Sequence, residues 1–302
     1  MTTSYYGQPV IKEPTWTPEI PFYLFSGGLA GASAPLAYLA ERRGNDVLAR
    51  RAWAVAFAGV SVSPALLISD LGVPSRFLNM LRLFKVTSPM SVGSWILAAS
   101  GGAMTLAAAD ALLGLFPGLG AVAKPVSAAL GLPLSTYTGA LLAQTSVPVW
   151  HEARRELPFV FGASAAASAG AAATVLSPVR AAGPARRLAI GGAVAQMAGL
   201  FAMEKRLGDL GEPYELPPAK TFKRAAQVLT LAGTATIAAG AGRSRAAAVA
   251  GGAALLGGVL AERWSVFKAG FQSARDPKYT VAPQRERIAS GRSRGASRKV
   301  PA

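Results

Sequence analysis

The chain has 302 residues, 51% of them hydrophobic and only 15% charged, with no Cys, a single His and a formal net charge of +16. Without Cys, the chain cannot ligate an iron–sulfur cluster, and His151 alone cannot supply both axial ligands of a b-type haem or build a Cys/His zinc site. Much of the positive charge lies beyond Ala261, in a tail with Arg285, Arg287, Arg292, Arg294, Arg298 and Lys299. Beside a membrane, such a tail reads as an orientation signal or lipid-surface contact, so nucleic acid is not expected as a partner.

Uncharged runs occupy residues 20–40, 52–69, 86–109, 125–150, 157–179, 188–203, 225–242 and 246–261. A hydrocarbon core of about 30 Å needs roughly 17 to 25 helical residues, a length that most of these runs reach. The two shortest, beginning at Leu188 and Ala246, reach it through snorkelling of flanking Arg and Lys or local thinning. The expectation is an all-α integral membrane protein with eight transmembrane helices. Its parts are an interfacial segment over 1–19, a membrane domain over 20–262 and a basic tail over 263–302. Helices are expected rather than a barrel, because the runs lack strand alternation and backbone groups in lipid must pair internally. Stretches of Ala, Gly and Ser, as at 162–174 and 251–258, let helix backbones approach closely.

The start of the chain is short and polar, with no basic region leading into an apolar core and no twin-arginine motif, so no cleaved signal is expected. Eight crossings place both termini on one side. That side carries most of the 31 Lys and Arg, which points to cytoplasmic termini. The excess comes from the tail.

Between the second and third runs lies DLGVPSRFLNMLRLFKVTSPMSVGSW, residues 70–95, which packs Asp70, Arg76, Asn79, Arg82 and Lys85 into one connector. In a membrane protein such a connector is where a soluble partner or polar ligand is met. Ionisable groups at span boundaries are functional candidates. This reading sets Glu19 at the start of the first run, Asp70 at the close of the second and Tyr137 at the beginning of the fourth. Asp70 is also the expected partner of Arg76, since charges near a membrane are usually paired. His151, with Glu152, Arg154 and Arg155, falls in the connector after the fourth run as a candidate proton relay. Asp110 and Lys124 fall towards the opposite side, either exposed or at the exit of a proton path. Trp16, Trp53, Trp95, Trp150 and Trp264 all stand near run ends and read as interface anchors.

Four segments carry a family resemblance: WTPEIPFYLFSGGLAGAS (16–33), the connector itself, YTGALLAQTSVPVW (137–150) and AGFQSARDPKYTVAPQR (269–285). Together they resemble the NrfD/PsrC family, membrane subunits of polysulfide reductase, nitrite reductase and formate dehydrogenase-like complexes. The resemblance implies a haem-free protein of two four-helix bundles in the bacterial plasma membrane. Such a subunit exchanges electrons between a quinone, menaquinone being the first expectation, and a docked iron–sulfur subunit that serves a molybdopterin enzyme. No cofactor is then bound permanently by this chain.

A quinone needs an apolar slot, hydrogen-bond donors for its carbonyls and a route for two protons. Glu19, Asp70, Arg76, Tyr137 and His151 are the candidates for that work, and Asn79, Arg82 and Lys85 for docking the partner. Where the polysulfide reductase pattern has an Asn and a His in its first span, this chain has Pro18 and Pro21, which shifts the hydrogen bonding to Glu19 and the connector. The rival reading is a proton-coupled transporter or a structural membrane anchor, the resemblance then describing fold alone.

Overall fold

The computed structural model describes residues 9–289. The tail residues Arg292, Arg294, Arg298 and Lys299 lie outside the described residues. Among the described residues there are helices and turns and no strand. The helices are α1 (Glu19–Arg42), α2 (Asp46–Asp70), α3 (Pro89–Leu113), α4 (Pro117–Ala143), the single-turn α5 (Pro148–Glu152), α6 (Leu157–Leu176), α7 (Gly183–Leu207), α8 (Ala219–Gly240), α9 (Arg245–Arg275) and α10 (Lys278–Ala289). Local chemistry sets many of the boundaries. Asn45, Ser88 and Ser244 each accept a backbone N–H of the helix they precede, satisfying an otherwise orphaned donor. Pro opens α3 and α4, and Gly114 ends α3 in the left-handed region at φ 68°, a conformation that costs glycine little.

Eight of these helices, all but α5 and α10, stand over the eight uncharged runs, and five of them, α2, α3, α4, α6 and α9, are long and apolar enough to cross a membrane. Of the remaining three, α7 and α8 carry Arg or Lys near their starts, and α1 is rich in Gly, Ser and Pro. Two boundaries differ from the sequence expectation. The fourth helix begins at Pro117, takes in Lys124 and stops at Ala143, because the chain leaves the helix over 144–147 and restarts as α5 at Pro148. The basic tail expected from residue 263 is still helix, since α9 continues to Arg275.

Packing is organised as two rings. In the first, α1 packs on α2 and α4, and α3 on α2 and α4; in the second, α6 packs on α7 and α9, and α8 on α7 and α9. Contacts of α6 with α1 and α4, and of α9 with α1, join the rings. Backbone proximity makes these contacts possible. A Cβ on Gly31 of α1 would stand 2.7 Å from the Gly131 carbonyl of α4 and 2.8 Å from the Ser135 nitrogen, and one on Gly233 of α8 would stand 2.6 Å from the Leu255 nitrogen of α9. No larger residue fits there without separating the helices.

Successive helices run antiparallel, so one end of the molecule gathers residues 9–18, 71–88, 144–156, 208–218 and 276–289. This terminal end is closed by interlocked pieces. Trp150 of α5 is fully buried, donates its indole N–H to the Val266 carbonyl at 2.7 Å and lies against Gly270 of α9. Trp16 stacks on it at 5.5 Å. Trp150 therefore ties the first ring to the second rather than anchoring at a lipid interface. Trp53 is also fully buried, its indole N–H directed at Glu41 at 3.4 Å. Trp264 is packed between Phe222, Phe22 and Phe267, and Trp95 remains exposed.

Replacing Gly31 by Leu is expected to abolish the monodisperse folded protein in detergent size-exclusion chromatography, because the clash is with backbone. Gly102→Ala, where a Cβ meets nothing within 4 Å, should leave the melting temperature unchanged or raise it, by up to about 1 kcal/mol of helix propensity. Equal behaviour of the two variants would refute the close-approach account.

Candidate functional site

The residues singled out by sequence come together at the terminal end of the first ring. They do different jobs. Asp70, the last residue of α2, accepts two hydrogen bonds at one carboxylate oxygen, from the Thr17 backbone N–H at 2.8 Å and the Thr17 hydroxyl at 2.6 Å. It thereby clamps the incoming chain to the end of α2. The expected Asp70–Arg76 pair does not form: Thr17 bonds one Asp70 carboxylate oxygen, and Arg76 is exposed on the 3₁₀ turn Pro74–Leu81.

Glu19 opens α1 and its Oε2 is out of solvent contact without a hydrogen-bond partner. One turn further along the same face is Tyr23, 2% exposed, whose hydroxyl is bonded to that of Tyr137. Tyr137 lies in the last turns of α4 rather than at its beginning, since α4 runs towards the terminal end. It packs over Gly93 of α3, where a Cβ would collide with the ring. Next along α1, Ser26 shares a 2.8 Å hydrogen bond with Ser63 of α2. Glu19, Tyr23 with Tyr137, and Ser26 with Ser63 form a polar stripe down the inside of an otherwise apolar ring. Sequence reasoning missed Tyr23 and the serine pair. The available signal was spacing: positions 19, 23 and 26 share one helical face.

An apolar cleft lies beside the stripe, between α2, α3 and the connector. It measures about 280 Å³ and is lined by Val60, Pro64, Leu67, Phe77, Leu81 and Leu97 among others. This is close to the lower size of small-molecule sites. Its hydroxyls, Ser61, Ser94 and Thr105, each donate to a carbonyl of their own helix at 2.8 Å, so they offer lone pairs rather than donors. Glu19 and Tyr137 do not line this cleft.

The connector presents Arg76, Asn79, Arg82 and Lys85 to solvent together with Leu78, Leu83, Phe84 and Val86, all exposed. It is held by Ser91, whose hydroxyl accepts the Lys85 N–H at 3.0 Å and donates to the Leu83 carbonyl at 2.9 Å. His151 is exposed and lines an open cleft of about 400 Å³ with Gln144, Glu152 and Tyr279. Close by, α10 is tied down by Glu212, which takes an ion pair from Lys278 at 2.7 Å and the Tyr279 hydroxyl at 3.1 Å. The Lys278 and Tyr279 hydrogen bonds hold the Glu212 carboxyl below the usual range.

At the far end, Lys124 is neither exposed nor isolated. It pairs with Glu41 at 2.6 Å and Asp110 at 2.9 Å with only 14% of its side chain exposed. It joins α1, α3 and α4 as a charge clamp. Among the described residues no cluster of His, Cys, Asp and Glu is arranged to hold a metal ion.

The fold defines a multi-pass helical membrane protein whose chemistry-bearing residues gather at one end of the first ring. Over residues 1–274 the sequence matches the NrfD_2 family model, described as polysulfide reductase. The chain belongs to that polysulfide reductase family. Among curated proteins no significant match is found.

If Asp70 clamps the entering chain, Asp70→Ala should release residues 9–18. Trypsin cleavage at exposed Lys12 should then speed up by at least about tenfold, since two charge-assisted hydrogen bonds are lost and either alone is worth about that factor. Asp70→Asn, which keeps an acceptor, should fall in between. Cleavage at the unaltered rate in Asp70→Ala would show that the Trp16 stack and the Arg275–Glu13 pair suffice.

Proposed function

We propose that the chain is the quinone-reactive membrane subunit of a multi-subunit oxidoreductase, with all eight long helices crossing the bilayer. It passes electrons between a quinone and an iron–sulfur subunit, which in turn serves a molybdopterin-containing catalytic subunit. Membership in the polysulfide reductase family carries this reading. The composition supports it: a chain with no Cys and one His supplies no ligand set for a redox centre, so electrons must come from a partner.

The apolar cleft between α2 and α3 is the size for a quinone ring, with the isoprenoid tail in lipid. Glu19 is the candidate for proton exchange, because its Oε2 is shielded from solvent and has no hydrogen-bond partner, although Thr17 bonds to this carboxyl as it does to that of Asp70. Tyr23 and Tyr137 extend the hydrogen-bonding line inwards from it. The exposed basic and apolar face of the connector suits a partner with an acidic rim around an apolar centre.

Co-purification tests the partner. An iron–sulfur subunit should accompany the native complex, and Arg82→Glu with Lys85→Glu should weaken the association and make it salt-sensitive. Undiminished co-purification at high salt would remove the connector from docking.

Turnover tests the site. In the assembled complex, Glu19→Gln should lower reaction with a soluble quinone analogue by about 10²-fold or more, the usual worth of a positioned acid–base group. Turnover with an artificial acceptor that bypasses this subunit should be unchanged. Normal quinone turnover in the variant would exclude Glu19 from proton exchange.

A further inference from the structure

The second ring contains a polar chamber that the candidate site does not use. Four side chains point at it: Gln196 from α7, Thr230 from α8, Glu262 from α9, and Tyr214 from the turn Gly208–Glu215. All are at most 3% exposed. Their oxygens, Gln196 Oε1, Thr230 Oγ1, Tyr214 Oη and both Glu262 carboxylate oxygens, have no hydrogen-bond partner. They surround a cavity of about 40 Å³, room for two or three water molecules. Gly258 lets α9 approach α8 here, since a Cβ would clash with the Thr230 hydroxyl at 2.5 Å and its nitrogen at 2.8 Å.

A buried polar group without a partner costs roughly 1 to 3 kcal/mol and a buried carboxylate far more. Five such oxygens on one small cavity are therefore not tolerated dry. Arg263 forms an ion pair with Glu262 but gives it no hydrogen bond. Its Nη1 is 3.4 Å from Glu262 Oε2, outside hydrogen-bonding geometry, while its Nη2 donates to the Phe161 carbonyl at 3.1 Å and the Ser164 hydroxyl at 2.5 Å. The guanidinium also lies over the Phe161 ring at 3.5 Å. Arg263 thus divides its guanidinium, Nη2 being bonded to α6 and Nη1 lying beside Glu262.

Towards the terminal end the chamber is bounded by Glu204 and Lys223. Lys223 pairs with Glu204 at 2.9 Å and with Glu215 at 2.6 Å, and both carboxylates are partly in solvent. The charged and titratable groups facing Glu262 are therefore Arg263 on its own helix, Glu204 from α7, Lys223 from α8 and Tyr214 from the turn. Burial, with Glu262 and Glu204 nearby, pushes the Tyr214 phenol far above its ordinary value. Tyr214 consequently stays neutral and can donate its proton in a hydrogen bond to water or carboxylate.

We infer that this chamber holds ordered water and that Glu262 is a proton-binding site, exchanging with solvent at the terminal end past Tyr214 and the Glu204–Lys223 pair. A proton arrives from water and adds to one carboxylate oxygen, and Glu262 changes from anion to neutral acid with no other bond broken. The inference stands on the second ring alone. It does not rest on the quinone reading, which concerns the first.

The test is infrared difference spectroscopy on the purified full chain in lipid nanodiscs, stepped from alkaline to mildly acidic pH. A carboxylic-acid C=O band should appear, shift on transfer to D₂O and be absent in Glu262→Gln. In Tyr214→Phe, which retains the buried ring, the band should persist while its hydrogen–deuterium exchange slows at least tenfold. Where Glu262→Gln fails to fold, Glu262→Asp supplies the assignment: it keeps a carboxyl, so the band should shift in frequency, and an unshifted band would overturn the inference. No titrating acid band that exchanges in D₂O, or one that survives intact in folded Glu262→Gln, would overturn the assignment. Exchange at the wild-type rate in Tyr214→Phe would overturn the path.

Discussion

Backbone-to-backbone contact between helices is the constraint on which the structure depends. Where no hydrophobic force separates helix from lipid, helices hold together only if many atoms come within van der Waals range, and small residues bring the backbones themselves together. Gly31 against Gly131 sets the spacing of α1 and α4, and Gly233 against Leu255 that of α8 and α9. Once backbones are this close, polar side chains on the same faces must find one another or be left unpaired. The Tyr23–Tyr137 and Ser26–Ser63 pairs are the first outcome. The Glu262 chamber is the second, where Gln196, Thr230, Tyr214 and Glu262 face one small cavity without partners.

Both ends of the molecule use charge to hold elements together, the terminal end through Lys223, Arg275 and Lys278. At the far end, Lys124 closes the first ring by joining Glu41 and Asp110 across three helices, and Arg245 donates to the Thr174 and Ser177 carbonyls at the end of α6. These bonds are spent on holding helix ends together. At the terminal end, Arg76, Arg82 and Lys85 are exposed and Glu19 Oε2 is uncommitted. Exposed cations stand at the far end too, as Arg42, Arg43 and Arg51 do, so it is the convergence of Glu19, Tyr23 and Tyr137 on one inner face, and not charge alone, that points to the terminal end.

Hydropathy made the eight long helices and their order legible, because uncharged runs of sufficient length have few alternatives. Pairing was not legible. Asp70 and Arg76 are close in sequence, yet Thr17, 53 positions away, takes the carboxylate, a long-range contact that no local pattern encodes. The tryptophans misled for a similar reason: an indole near a run end suits a lipid interface, but Trp150 sits on a tight restart of the chain that turns it inward onto α9. Glu262 and Arg263 were hidden by their position beside the basic tail. A charged pair ending an apolar run reads as a solvated boundary, and only the extension of α9 to Arg275 shows it to be interior.

Residues 9–18 and α5 give the terminal end its coherence. Trp16 stacks on Trp150, Thr17 is clamped by Asp70, and Arg275 reaches Glu13 at 2.6 Å. One short segment therefore contacts the end of α2 in the first ring, α5 between the rings and the end of α9 in the second. Glu19 follows it directly, so the position of that carboxylate is set by both rings at once. The start of α1 is therefore fixed by long-range contacts to both rings rather than by its own sequence, which is why the setting of Glu19 follows from the assembled fold alone.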